Sequence, residues 1–178
     1  GSLTQTGALT VTGATTLAAG TANNITLSAA NNFSTLAVTS GNNVTLNDIN
    51  ALILGASTVS GNLNVTTGGA LTQSGAVTVA ATTTFPAGGN DIALTNGTNN
   101  FSTVGITSGN NVALTNANAL NLAASTVSGT LDVTTTGTLT QSGPLTVIGT
   151  TTLATGGNDI TLTNGTNNFS TVGITSGN

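Results

Sequence analysis

Four aspartates, Asp48, Asp91, Asp132 and Asp159, are the only charged side chains in this sequence, which holds no Lys, Arg, His, Cys or Tyr. General acid–base catalysis needs groups that titrate near working pH, and nucleophilic catalysis needs an activated nucleophile. The chain repeats itself, and the repeat tests each carboxylate. Asp48 corresponds to Asn116, Asp132 to Asn64, and both Asp91 and Asp159 to Asn24. A carboxylate that an amide replaces reads as a turn residue, not as a base. The sequence therefore predicts a non-enzyme, with no catalytic, cofactor-binding or metal-binding residue and no cofactor.

Other candidate chemistry has a plainer reading. Gly88-Gly89-Asn90-Asp91-Ile92-Ala93-Leu94 and its copy Gly156 to Leu162 resemble a calcium-binding nonapeptide. Such motifs work in tandem, so that successive turns share an ion. Here the two copies stand far apart in the chain, which leaves a Gly-rich corner leading into a strand. Thr-x-Thr pairs at Thr4–Thr6, Thr10–Thr12, Thr82–Thr84, Thr134–Thr136 and Thr150–Thr152 suggest an ice-binding ladder, but their spacing is uneven. Outward Thr is ordinary in strands. Asn-x-Ser/Thr sequons fall at Asn24, Asn32, Asn43, Asn64, Asn96, Asn100, Asn164 and Asn168, in a chain rich in both Asn and Thr. With no cation to neutralise phosphate and no stacking platform, nucleic acid is excluded as a partner.

The elements that position these residues come from composition and period. Charged residues make up 2% of the chain, against about 25% in globular proteins. Thr, Asn, Ser and Gly disfavour helix interiors. No apolar run approaches the roughly 18 residues of a membrane span, so membrane insertion is not expected. Absent cysteine leaves disulfides out of the architecture.

Leu3-Thr4-Gln5 returns as Leu71-Thr72-Gln73 and Leu139-Thr140-Gln141, and most positions of 71–110 match 139–178 without a gap. These landmarks define a 68-residue super-repeat, with copies at 3–70 and 71–138 and a partial copy at 139–178. Repetition this regular marks an array. Within a copy, Leu9-Thr-Val11, Ile25-Thr-Leu27, Val44-Thr-Leu46, Leu52-Ile-Leu54 and Leu63-Asn-Val65 alternate buried and wet positions, the period of a strand. Asn- and Gly-rich corners separate them, and both residues tolerate a left-handed backbone.

The expected fold is all-β: a right-handed parallel β-helix, or β-solenoid, in one continuous segment over residues 1–178. It has three strands per coil, and the 68-residue super-repeat spans about three coils of about 23 residues. Right-handedness follows from the crossover preference of parallel strands. Residues 71–110 should then superimpose on 139–178 by a translation of about 14 Å with little rotation. Val44, Leu46, Leu52, Leu54, Leu63 and Val65 should face inward. Phe33, Phe101 and Phe169 should share one internal column.

Leu71-Thr-Gln-Ser-Gly75, Ser125-Thr-Val-Ser-Gly129, Gly156-Gly-Asn-Asp-Ile-Thr-Leu162 and Asn167-Asn-Phe-Ser-Thr-Val172 resemble the stalk repeats of filamentous-haemagglutinin-like bacterial surface adhesins. The resemblance implies a right-handed β-helix at the bacterial cell surface, extracellular, with a fibre or adhesive role. No Arg-Gly-Asp and no basic stretch is present to name a receptor. Both termini fall inside a copy without a polar cap, so the expected partners are neighbouring repeats, or copies of the same chain stacked end to end. The leading expectation is a structural stalk segment. The alternatives are the protomer of a self-assembling filament and, third, an ice-binding Thr-rich face.

Overall fold

Thr, Asn and Ser alternate with Leu, Ile and Val, and this alternation coils the chain around its own aliphatic side chains. The computed structural model describes residues 1–178 as nineteen strands and no helix. The strands join in one sheet with parallel pairing, forming a β-solenoid of about nine turns. One coil runs through Val44–Asp48, Leu52–Leu54 and Ser57–Val59 before Leu63–Thr67 opens the next. That gives three strands to the coil, as the sequence predicts. Some neighbours fuse around a corner, as in the 16-residue strand Ile25–Ser40.

Each strand buries alternate residues because successive side chains point to opposite faces. Val44, Leu46, Leu52, Leu54, Leu63 and Val65 are all buried, within a single core cluster of 34 residues. The core runs the length of the stack. Backbone groups are satisfied by coil-to-coil ladders and corner contacts, 101 backbone hydrogen bonds in all.

The registers refine the coil. Leu3 pairs with Ile25, Ile25 with Val44, Val44 with Leu63 and Leu63 with Thr83. Hydrogen-bonded corner partners on the same coils, from Ser2 through Asn24, Asn43 and Asn62 to Thr82, stand 22, 19, 19 and 20 residues apart. Coils are shorter than the expected length because their corners are tight. A 68-residue copy therefore spans three coils with about half a coil over.

That surplus sets the relation between copies. Leu71 does not join the column of Leu3. It pairs with Leu52 and Ile92, and that column continues through Val112 to Leu131. The column of Leu3, followed beyond Thr83 through Val104 and Leu122, reaches Gln141, close to Leu139. Each copy thus starts about half a turn round from the one before it, and every second copy returns to the same face. The expected pure translation of about 14 Å is replaced by a half-turn with a rise of roughly 17 Å, from about 4.8 Å per coil.

The phenylalanines follow this rule and not the expected single column. Phe33 pairs with Val11, Phe101 with Val79, and Phe169 with Val147. The column of Phe101 continues through Val59, whereas that of Phe169 continues through Val127. Phe101 instead meets Phe85 edge-on, with ring centroids 6.4 Å apart at 90°.

The corners divide the work between glycine and asparagine. Gly88 and Gly89 have φ of 61° and 88°, and Gly156 and Gly157 repeat them. No residue other than glycine has positive φ. The expectation that asparagine supplies left-handed backbone is corrected here. Its side chain, not its backbone conformation, makes the corner.

Candidate functional site

Asparagine residues that precede a strand stack from coil to coil. Asn43 donates its backbone N–H and Nδ2 to Asn24 Oδ1 at 3.1 and 3.3 Å. Asn62 does the same to Asn43 Oδ1 at 3.0 and 3.2 Å, and Thr82 N donates to Asn62 Oδ1. The second copy rebuilds this ladder half a turn away. There Asp91 Oδ1 accepts Asn111 N and Nδ2 at 3.0 and 3.1 Å, and Asn111 Oδ1 accepts Thr130 N at 3.2 Å. The Asn111 N–H, joined by the side-chain amides of Asn110 and Asn111, holds the Asp91 carboxyl below the usual aspartate range against a smaller opposing effect of desolvation.

The LTQ sequence has a purpose that its residue types alone do not reveal. Gln73 Nε2 donates to Asn99 Oδ1 at 2.8 Å while Asn99 Nδ2 donates back to Gln73 Oε1 at 2.8 Å. Asn99 is fully buried. Its Oδ1 also accepts Val77 N, and its Nδ2 reaches Leu94 O and Thr115 O. Gln73 Oε1 further accepts Asn96 N, which anchors the turn above it. One amide pair therefore ties together segments of three successive coils. Gln5–Asn31 and Gln141–Asn167 repeat the pair in the other copies. The signal available in the sequence is the separation of 26 residues, at which Gln and Asn recur in every copy.

The remaining aspartates lie apart from one another. Asp48 is buried, accepting Phe33 N at 2.6 Å on Oδ1 and Asn50 N at 3.2 Å on Oδ2. Asn116, its counterpart, accepts Phe101 N at 2.7 Å and also donates Nδ2 to the carbonyls of Phe101, Asn118 and Ala119 at 3.1–3.2 Å. Asp159 accepts Asn178 Nδ2 at 3.3 Å. Asp132 is exposed beside Ala113 and Thr152. A shallow depression of about 240 Å³ opens over Ala93 and Ala113 between Asp91 and Asp132, where the first copy has Thr26 and Thr45 instead. No three metal-ligating side chains come together.

The outward Thr ladder is partial. Thr4, Thr26, Thr45, Asn64 and Thr84 follow one register through five coils on one face. On the other, the register reads Thr35, Ile53, Thr72, Ala93, Ala113, Asp132 and Thr152. Ile53 and the two alanines break any regular hydroxyl lattice there.

Parallel coils, one continuous aliphatic core and polar ladders at the corners define a repeat-built β-solenoid. The chain belongs to the family described as Repeats of unknown function (DUF5649), whose model matches residues 1–40, 41–108 and 109–176. Each complete match is one 68-residue period, displaced from the LTQ copies only in its starting point. No curated protein and no solved structure matches the chain.

Proposed function

We propose that this chain is a structural segment of an extracellular fibre or stalk of a bacterial surface adhesin, without catalytic activity. The observation that carries the reading is the uninterrupted core of 34 residues under a single parallel sheet. A rod of this kind resists bending, because bending it stretches coil-to-coil hydrogen bonds on one side. Nine coils at about 4.8 Å give a rod about 40 Å long. The resemblance of the LTQSG and STVSG sequences to adhesin stalks supports the location. Immunogold labelling of intact cells with antibody raised against the segment tests it. The expected result is label on unpermeabilised cells, at a distance from the envelope that grows with the number of copies. Label that needs permeabilisation overturns the surface assignment.

A second reading is end-to-end assembly of separate chains, in which a coil of one copy covers the apolar residues of the next as coils within the chain cover Val104 and Ile106. Sedimentation and electron microscopy of the purified segment over a range of concentrations separate the two. Thin fibres one solenoid thick are expected if copies cover one another, and persistent monomers at high concentration remove that reading.

A further inference from the structure

The turn Asn96-Gly97-Thr98 and its copy Asn164-Gly165-Thr166 stand out among the asparagines. Asn96 Oδ1 accepts two hydrogen bonds from Thr98, from N at 2.9 Å and from Oγ1 at 2.7 Å. Asn164 Oδ1 accepts the same two from Thr166, at 2.9 and 2.7 Å. Asn96 Nδ2 and the Gly97 N–H donate to no protein group, and nothing lies within 4 Å of where a Cβ on Gly97 would stand. Gly165 is equally open. No other asparagine in the chain is followed by glycine. The first copy has no such turn, because Ala29 and Ala30 run on inside the strand Ile25–Ser40.

We propose that Asn96 and Asn164 are self-modification sites, each converting to an acidic residue through a cyclic imide formed with the following glycine nitrogen. In the first step the Gly97 nitrogen attacks Asn96 Cγ. The N–Cγ bond forms, the Cγ–Nδ2 bond breaks, and ammonia departs with the proton that the glycine nitrogen gives up. Water then adds to either imide carbonyl, leaving an aspartate or its β-linked isomer. Water is the only co-reactant. Three features of the turn favour the step. The nucleophile is already in the adjacent peptide, so no encounter has to be arranged. Glycine leaves its nitrogen unshielded by a side chain. The two donors of Thr98 sit on the oxygen where negative charge develops in the tetrahedral intermediate, as an oxyanion hole does. Ladder asparagines such as Asn43 and Asn62 differ, because an apolar residue follows each and Nδ2 is engaged.

Conversion at both turns takes the formal charge from −4 to −6, since each adds one carboxylate. The two new charges lie about half a turn apart around the rod. Neither conversion depends on the proposed stalk role.

The test is to incubate the folded chain at mildly alkaline pH and physiological temperature, following isoelectric focusing and peptide mass spectrometry with detection of β-linked aspartate. Two acidic steps are expected, mapping to residues 96 and 164. Gly97→Ala with Gly165→Ala should abolish both and leave the fold intact, because neither glycine has positive φ and both face open space. Thr98→Val with Thr166→Val keeps the N–H and removes the hydroxyl, and should slow both steps roughly tenfold. Modification spread over ladder asparagines, or unchanged in the glycine variants, overturns the assignment. An unchanged rate in the threonine variants overturns the assisted mechanism.

Discussion

Gln73 and Asn99 hold each other by both ends of their amides, at 2.8 Å in each direction, from successive coils. Removing one partner strands the other. Asn99→Ala leaves Gln73, Val77 N, Leu94 O and Thr115 O short of a bond in the interior. Each such group costs about 1–3 kcal/mol. Asn99→Ala should therefore destabilise by roughly 3 kcal/mol or more, while exposed Asn64→Ala should stay within about 0.5 kcal/mol. Urea unfolding of the two variants side by side checks this.

Asp48 and Asn116 fill the same site with different chemistry, and the exchange is asymmetric. Asp48→Asn keeps an acceptor for Phe33 N and exchanges the acceptor of Asn50 N for a donor to the neighbouring carbonyls, as Asn116 has, so stability should change by less than about 1 kcal/mol. Asn116→Asp withdraws three donations and buries a charge, and should cost about 3 kcal/mol. Thermal melts of both variants decide the matter, and equal losses in the two would refute it.

Thr83 and Thr151 turn hydroxyls into the core without a partner, and both are fully buried. Valine has nearly the same shape and no hydroxyl to desolvate. Thr83→Val and Thr151→Val should each stabilise by about 1 kcal/mol. Chemical denaturation midpoints provide the measurement.

The Asp91 carboxyl titrates below its unfolded value because the folded state donates hydrogen bonds to the charged form, the Asn111 N–H foremost. Its contribution is complete above the unfolded value of about 3.9 and is lost as pH falls through the folded one. Acid should therefore weaken the second-copy ladder, and only slightly, because the group is at the surface. Asp91→Asn should flatten the pH dependence of the melting temperature between about pH 5 and pH 2.

Because the chain contains no cysteine, introduced thiols report the register cleanly. Thr45 and Asn64 are register partners on adjacent coils, where parallel strands lie about 4.8 Å apart, within disulfide reach. Thr45→Cys with Asn64→Cys should oxidise readily within one molecule. Asn64→Cys with Asp132→Cys joins equivalent positions of successive copies, and should not.

Much of this architecture is legible from residue types. The long period follows from the return of Leu-Thr-Gln at 3, 71 and 139, and the inward faces of Val44 through Val65 follow from the alternation that a half-buried strand imposes. The half-turn between copies is harder to read. Asn24, Asn43 and Asn62 recur at steps of 19 residues, and the 68-residue copy is not a whole number of such steps, so the phase slip is written in the corners. Strand counting hides it, because strands fuse at Ile25–Ser40 and elsewhere. The Gln–Asn clamps are hard to read for a related reason. Their separation of 26 residues is neither the copy nor the coil, and only the path of the chain brings them together. Asp48 reads as a turn residue because Asn116 takes its place in the next copy, yet its side chain turns inward to cap Phe33 N.

The half-coil surplus gives the gene an odd–even rule. Recombination between near-identical copies adds or deletes one whole copy, which changes the rod by roughly 17 Å. It also swings everything beyond the junction to the other face. Gaining or losing two copies restores the original aspect at about twice the step. A feature carried beyond the junction therefore keeps its aspect only when the number of copies changes by an even number.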